Sequence, residues 1–149
     1  MRMAIPSDEP FLREMLYLAL SVPPGAPPLP RSVLDDPSLA RYVKDWGTWP
    51  GDFGLIAQSD ETPIGAAWLR QFPGTDPGYG PVDESIPELS IAIVPEWRNQ
   101  AIGSRLIQAL LAHTPSVSLS CDPANPAWRL HRRFGFEPLP NTRTMVRTV

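Results

Sequence analysis

Residues Ile91–Gly103 read IAIVPEWRNQAIG and run directly into SRLIQALLAH, Ser104–His113. A β-branched apolar run stops at Pro95, passes through Arg98, Asn99 and Gln100, and reopens as an amphipathic helix. Ile102, Leu106 and Leu110, with Ile107 and Leu111, form its apolar stripe. The pattern is a strand feeding a helix through residues almost bare of side chains. Such a junction presents the unsatisfied N–H groups of the first helical turn at the C-terminal edge of a sheet, a place suited to an anion. Ala101 and Gly103 leave the backbone open to a ligand, Arg98 adds a fixed positive charge, and phosphate is the natural occupant. The chain has no G-x-G-x-x-G dinucleotide fingerprint and no P-loop Lys-Ser/Thr pair.

Outward from this junction the elements alternate. RMAI is a short first strand. SDEPFLREMLYLAL predicts a helix with Ser7 as N-cap and Leu12, Leu16 and Leu20 on one face. After the Pro-rich stretch 22–30, DPSLARYVKDWG predicts a second helix capped by Asp36 with Pro37 at its first position. Leu39, Tyr42, Val43 and Trp46 share its inner face, and Gly47 closes it. DFGLIAQS and PIGAAWLRQF form a hairpin around DETP, with Gly54 and Gly65 marking bulges or close contacts. A long loop, 73–87, precedes the strand ELSIAIV. Helix 101–113, strand VSLSC, helix 125–134 and a last strand region 137–149 follow. This order predicts an α/β (α+β) fold with a mixed sheet.

At 149 residues and 42% hydrophobic, the chain suits one domain, 1–149, that buries about two thirds of its unfolded surface. The lone Cys121 cannot form an internal disulfide, and no His or Cys lies around it at metal-ligand spacing, so no metal is expected and a cytoplasmic setting is. No signal-peptide core and no membrane-length apolar run is legible. The net charge of −3 and scattered basic residues argue against a nucleic acid partner. Oligomeric state is open, a homodimer included.

IAIVPEWRNQAIG resembles motif A of the GNAT superfamily of N-acetyltransferases, an apolar strand, Pro, then Arg-x-x-Gly-x-Gly/Ala, with Arg98, Ala101 and Gly103 at the signature positions. LSCDPANPAWRLHRRFGFEPL is similar to the family's later strand, an Asn opening a helix, and a closing Gly-Phe. The two together cover about 88–139. The resemblance implies a GNAT-like fold: a sheet splayed between the motif strand and the next, with helices on both faces. It further implies acetyl-CoA as cosubstrate and a primary amine, small-molecule or peptide, as acceptor, joined by direct attack on the thioester. Pyrophosphate would then be cradled by backbone N–H groups from Gln100 through Ala101, Ile102 and Gly103 to Ser104. Pantetheine would pair with the backbone of Ile91 and Ile93, and Asn125 would cap its helix and touch the cofactor.

An amine arrives as ammonium, with a pKa of about 8 to 10.4, so a base is useful. Glu88 at the start of the motif strand is the first candidate; Glu84 and Asp83 are reserves. A solvated strand-end carboxylate is the alternative for Glu88. Two departures from the family pattern stand out. Ala101 replaces the first loop glycine, which the backbone accepts at negative φ. His131 replaces a tyrosine that protonates the departing thiolate; an imidazolium of pKa about 6.5 could do so downhill, or the ring could anchor a proton-donating water. Cys121 lacks the partners of a catalytic thiol, and His113 suits a helix C-terminus. Trp46, Trp49, Trp68 and Tyr79 border the acceptor side, Trp46 and Trp68 mainly as core. Two rival functions stay open: a non-catalytic CoA-binding sensor or interaction module, and a scaffold recognised through its Pro-rich segment.

Overall fold

The computed structural model describes residues 1–20, 25–72, 86–114, 116–121, 125, 127–139 and 144–147. Tyr79, Asp83 and Glu84 lie outside them. Seven strands form one mixed sheet in the order β1-β2-β3-β4-β5-β7-β6. They are β1 (Arg2–Met3), β2 (Phe53–Ser59), β3 (Thr62–Arg70), β4 (Glu88–Ile93), β5 (Val117–Ser120), β6 (Glu137–Pro138) and β7 (Thr144–Arg147). All neighbours pair antiparallel except β4 and β5, which are parallel. Helices α1 (Glu9–Ala19) and α2 (Pro37–Ala40) accompany one face; α3 (Ile102–His113) and α4 (Ala127–Arg133) accompany the other.

Two apolar cores follow from this layering. Leu106, Ile107 and Leu110 of α3 pack on Leu89, Val117 and Leu119, while Leu12, Met15 and Leu16 of α1 pack with Val43, Trp46 and Trp68 on the opposite face. β3 lies between them, buried from Ile64 to Arg70, which is why its sequence is a continuous apolar run up to Leu69 rather than an alternating one. The Trp68 indole N–H donates to the Tyr42 carbonyl at 3.1 Å and ties the segment after α2 to this strand.

Several local expectations change. Ser7 does not cap α1: a 3-10 turn, Pro6–Asp8, precedes the helix, and the Asp8 carboxylate accepts from the Ile5 N–H while pairing bidentately with Arg2, each contact 2.8 Å. Asp36 does cap α2, accepting from the Ser38 N–H at 2.9 Å, but the helix ends at Ala40. Tyr42, Val43 and Trp46 are buried from successive turns instead, with Asp45 (φ 56°) and Gly47 (φ 92°) left-handed. The hairpin's register shifts between Ala57↔Gly65 and Gln58↔Pro63, so the irregularity adjoins Gly65, with Ile64 as the extra residue. Gly54 and Gly65 are close approaches: a Cβ would lie 3.0 Å from Trp68 Cβ at the first and 2.7 Å from Ile93 Cδ1 at the second.

Candidate functional site

The site grows from a gap in the sheet. β4 is registered against β3 along its whole length, from Glu88↔Arg70 to Ile93↔Gly65. Against β5 it has one register pair among the described residues, Glu88↔Ser118, where the Ser118 N–H donates to the Pro87 carbonyl at 3.0 Å. Beyond that step the two strands part. The Val94 N–H donates to the Ile64 carbonyl at 2.8 Å, so by the two-residue period Ala92 and Ser90 also direct their backbone groups to β3. Ile91 and Ile93 direct theirs to the gap. Their side chains pack on the α3 core, leaving the strand edge as main chain alone.

At the end of β4 the turn Arg98–Ala101 leads into α3. Arg98 Nε donates back to the Ile93 carbonyl at 3.2 Å, holding the guanidinium over the turn. Asn99 (φ 64°) and Ala101 (φ 62°) are both left-handed, so the negative φ at which alanine is readily accepted is not the one Ala101 adopts. Alanine there carries strain of about 1–2 kcal/mol that glycine would not. Ala101 caps α3 without a side-chain hydrogen bond, and the first intrahelical bond runs from the Arg105 N–H to its carbonyl at 3.1 Å. The N–H groups of Ile102, Gly103 and Ser104 therefore lack helical acceptors and carry the positive end of the helix dipole. They border a cavity of about 500 Å³ shared with Arg98, Asn99 and Arg133. Gln100 is exposed and lies outside its lining.

A second cavity, about 310 Å³, opens on the α1 face of β4 and β5. Glu88, 4% exposed, is in its wall. Being paired in register, Arg70, Glu88 and Ser118 stand side by side on one face across three strands. Arg70 is 1% exposed, and its guanidinium is committed elsewhere. Nε and one terminal nitrogen bind Asp52 at 3.0 and 2.9 Å, and the other terminal nitrogen donates to the Arg41 and Lys44 carbonyls at 2.8 and 2.7 Å. Trp46 and Trp49 rings lie against it. Arg70's charge is thus balanced within the fold by Asp52.

The two cavities meet at Ile91, Asn125 and His131. Asn125 Oδ1 accepts from the Ala127 N–H at 2.9 Å, so it caps α4 while bordering both spaces. His131 is 4% exposed, its Nδ1 has no hydrogen-bond partner, and burial pushes its pKa down from 6.5 to about 4. Of the two roles the sequence leaves open for His131, burial favours the neutral ring that would anchor a water over a resting imidazolium.

The sequence brought Glu88, Ile91, Ile93, Arg98, Ala101, Ile102, Gly103, Ser104, Asn125 and His131 to one region, and all of them border the gap or the turn. It missed Asn99 and Arg133 at the larger cavity, the Arg70–Asp52 pair, and Cys121 in the wall of the smaller one. An arginine closing the run GAAWLR was the legible sign of a buried ion pair. Trp46 and Trp68 are core residues, as expected. Among the described residues no three His, Cys, Asp or Glu side chains are grouped to hold a metal, and no helix is long and apolar enough to cross a membrane.

Residues 19–136 match the family described as Acetyltransferase (GNAT) family. No curated protein matches the sequence significantly. Solved structures share the fold at low identity. One is a ribosomal-protein-alanine N-acetyltransferase from Brucella melitensis, TM-score 0.65, 17% identity, over 99% of this chain and 98% of that one. Another is a GNAT family acetyltransferase from Brucella melitensis in complex with acetyl-CoA, TM-score 0.60, 18% identity, over 97% and 84%. A third is a GNAT superfamily phosphinothricin acetyltransferase from Sinorhizobium meliloti in complex with acetyl-CoA, TM-score 0.63, 20% identity, over 98% and 85%.

Proposed function

Since the chain belongs to the acetyltransferase (GNAT) family, we propose that it is an acetyl-CoA-dependent N-acetyltransferase acting on a primary amine by direct attack on the thioester. One observation carries this reading: two cavities, one walled by bare helix N–H groups and an arginine, the other by a buried carboxylate, meet at a gap in the sheet. The residues fit the cosubstrate. Ile102, Gly103 and Ser104 N–H groups, with Arg98 and Arg133, bind the pyrophosphate, and the Ile91 and Ile93 main chain pairs with pantetheine as an added strand.

Glu88 accepts a proton from the ammonium, directly or through water. The freed nitrogen attacks the acetyl carbonyl, the new C–N bond forms, the C–S bond breaks, and a second proton ends on the departing thiolate. A backbone N–H of β4 at the gap polarises the carbonyl. His131, neutral, orients a water that relays this second proton, lost by the newly acylated nitrogen, to the thiolate. Glu88→Gln is expected to keep acetyl-CoA affinity and lower kcat by about 10²-fold or more, with a smaller loss at high pH where more amine is already neutral. Unchanged turnover across pH 6 to 9 would remove Glu88 from the mechanism. The competing sensor reading predicts acetyl-CoA binding without release of thiol for any amine.

A further inference from the structure

Resting on the N-acetyltransferase reading, we propose that the acceptor is a compact primary monoamine whose remainder is apolar and uncharged, an alkyl or aralkyl amine. The smaller cavity is near the lower end of small-molecule sites, about 300–1,000 Å³. Its walls are hydrocarbon over most of their extent: Leu16 and Leu20 from α1 and beyond, Leu29, Leu39, and Leu119 from β5. Glu88 is the only charged side chain among its described lining residues. That carboxylate, low in an apolar wall, suits one ammonium.

A carboxylate on the acceptor would find no cation. No Lys or Arg lines the cavity among the described residues. Arg70, across the sheet from Glu88, is held by Asp52 and two carbonyls. Arg98 and Arg133 border the other cavity. An unpaired carboxylate against leucine side chains is strongly disfavoured. Among the described lining residues a second ammonium would find no second carboxylate, Glu88 being the one there.

The test compares initial rates of thiol release and acetyl-amine formation for 2-phenylethylamine, phenylalanine and spermidine at saturating acetyl-CoA. The first two differ by one carboxylate. The expected result is a kcat/KM for 2-phenylethylamine at least about 100-fold above that for phenylalanine and above that for spermidine. Leu39→Arg, which brings a guanidinium to the wall, should narrow the gap to phenylalanine about tenfold. Equal or better use of phenylalanine or spermidine by the wild type overturns the acceptor class while leaving the N-acetyltransferase reading in place. If no amine is acetylated although acetyl-CoA binds, the enzymatic reading fails. Calorimetry on CoA-loaded protein then decides the pocket: binding of 2-phenylethylamine but not phenylalanine, lost in Glu88→Gln, supports it, and no preference overturns it.

Discussion

His131→Phe tests the environment at the junction of the two cavities. In the folded chain burial holds the imidazole pKa at about 4, against 6.5 as the ordinary value. The unfolded chain therefore binds its proton first as pH falls. Stability from this group is complete above about pH 6.5 and is lost progressively down to about pH 4, where folded and unfolded forms both carry the proton. Between pH 7.5 and 5.0 the loss comes to about 2 kcal/mol, or about 4–8 °C in Tm for a domain of this size. Phenylalanine keeps a ring beside Phe136 and removes the unpartnered Nδ1, so the variant should match or exceed the wild type at pH 5.0. Urea denaturation at pH 7.5, 6.5 and 5.0, with unchanged m-values, reads the difference directly. This range lies mostly above ordinary carboxylate titration, and the variant subtracts what remains. Equal pH slopes for the two proteins would refute the burial argument and restore an imidazolium to the mechanism.

Ala101→Gly should stabilise the fold by about 0.5–1 kcal/mol in urea, the left-handed strain less the extra unfolded-state entropy of glycine; Ala101→Val should do the opposite. At Gly103 a Cβ would meet only Leu130 Cδ2 at 3.4 Å, so Gly103→Val should fold. Calorimetry should nonetheless find about tenfold or more weaker acetyl-CoA binding, because the side chain stands where pyrophosphate approaches. Asp52→Ala should cost about 3–5 kcal/mol by stranding the buried Arg70 charge, and adding Arg70→Met should recover part of it by denaturation.

The fold was legible where periodicity and termini agree. The α3 stripe could be read because one face of that helix is buried, and the strand before it because it is a mostly apolar run, packed on both sides, that Pro95 ends. The segment after Asp36 misled because Tyr42, Val43 and Trp46 are spaced as on a helix, yet left-handed Asp45 and a bound Trp68 indole shape a series of turns instead. Side-chain spacing cannot tell those apart. The candidate site was legible along β4 and the turn, where neighbours in sequence are neighbours in space. Arg133, Asp52 and Arg70 reach their places through tertiary packing, and only the buried arginine left a trace in the sequence. How far the pKa of His131 falls was not legible for the same reason: burial, not residue type, sets it.

In β4 the direction of each backbone N–H and of each side chain is fixed by the same alternation. The proposed donor is met by the main chain of Ile91 and Ile93, while the proposed base projects from Glu88 on the acceptor face. Replacing Ile91 or Ile93 by another apolar residue would leave the first function nearly untouched. Inserting or deleting one residue between Pro87 and Ile93 would turn the remaining strand over, swapping edge and face at once. Drift at these positions is thus expected to be free in residue type and closed to changes in length, so aligned chains that keep this chemistry should differ here in letters but not in spacing.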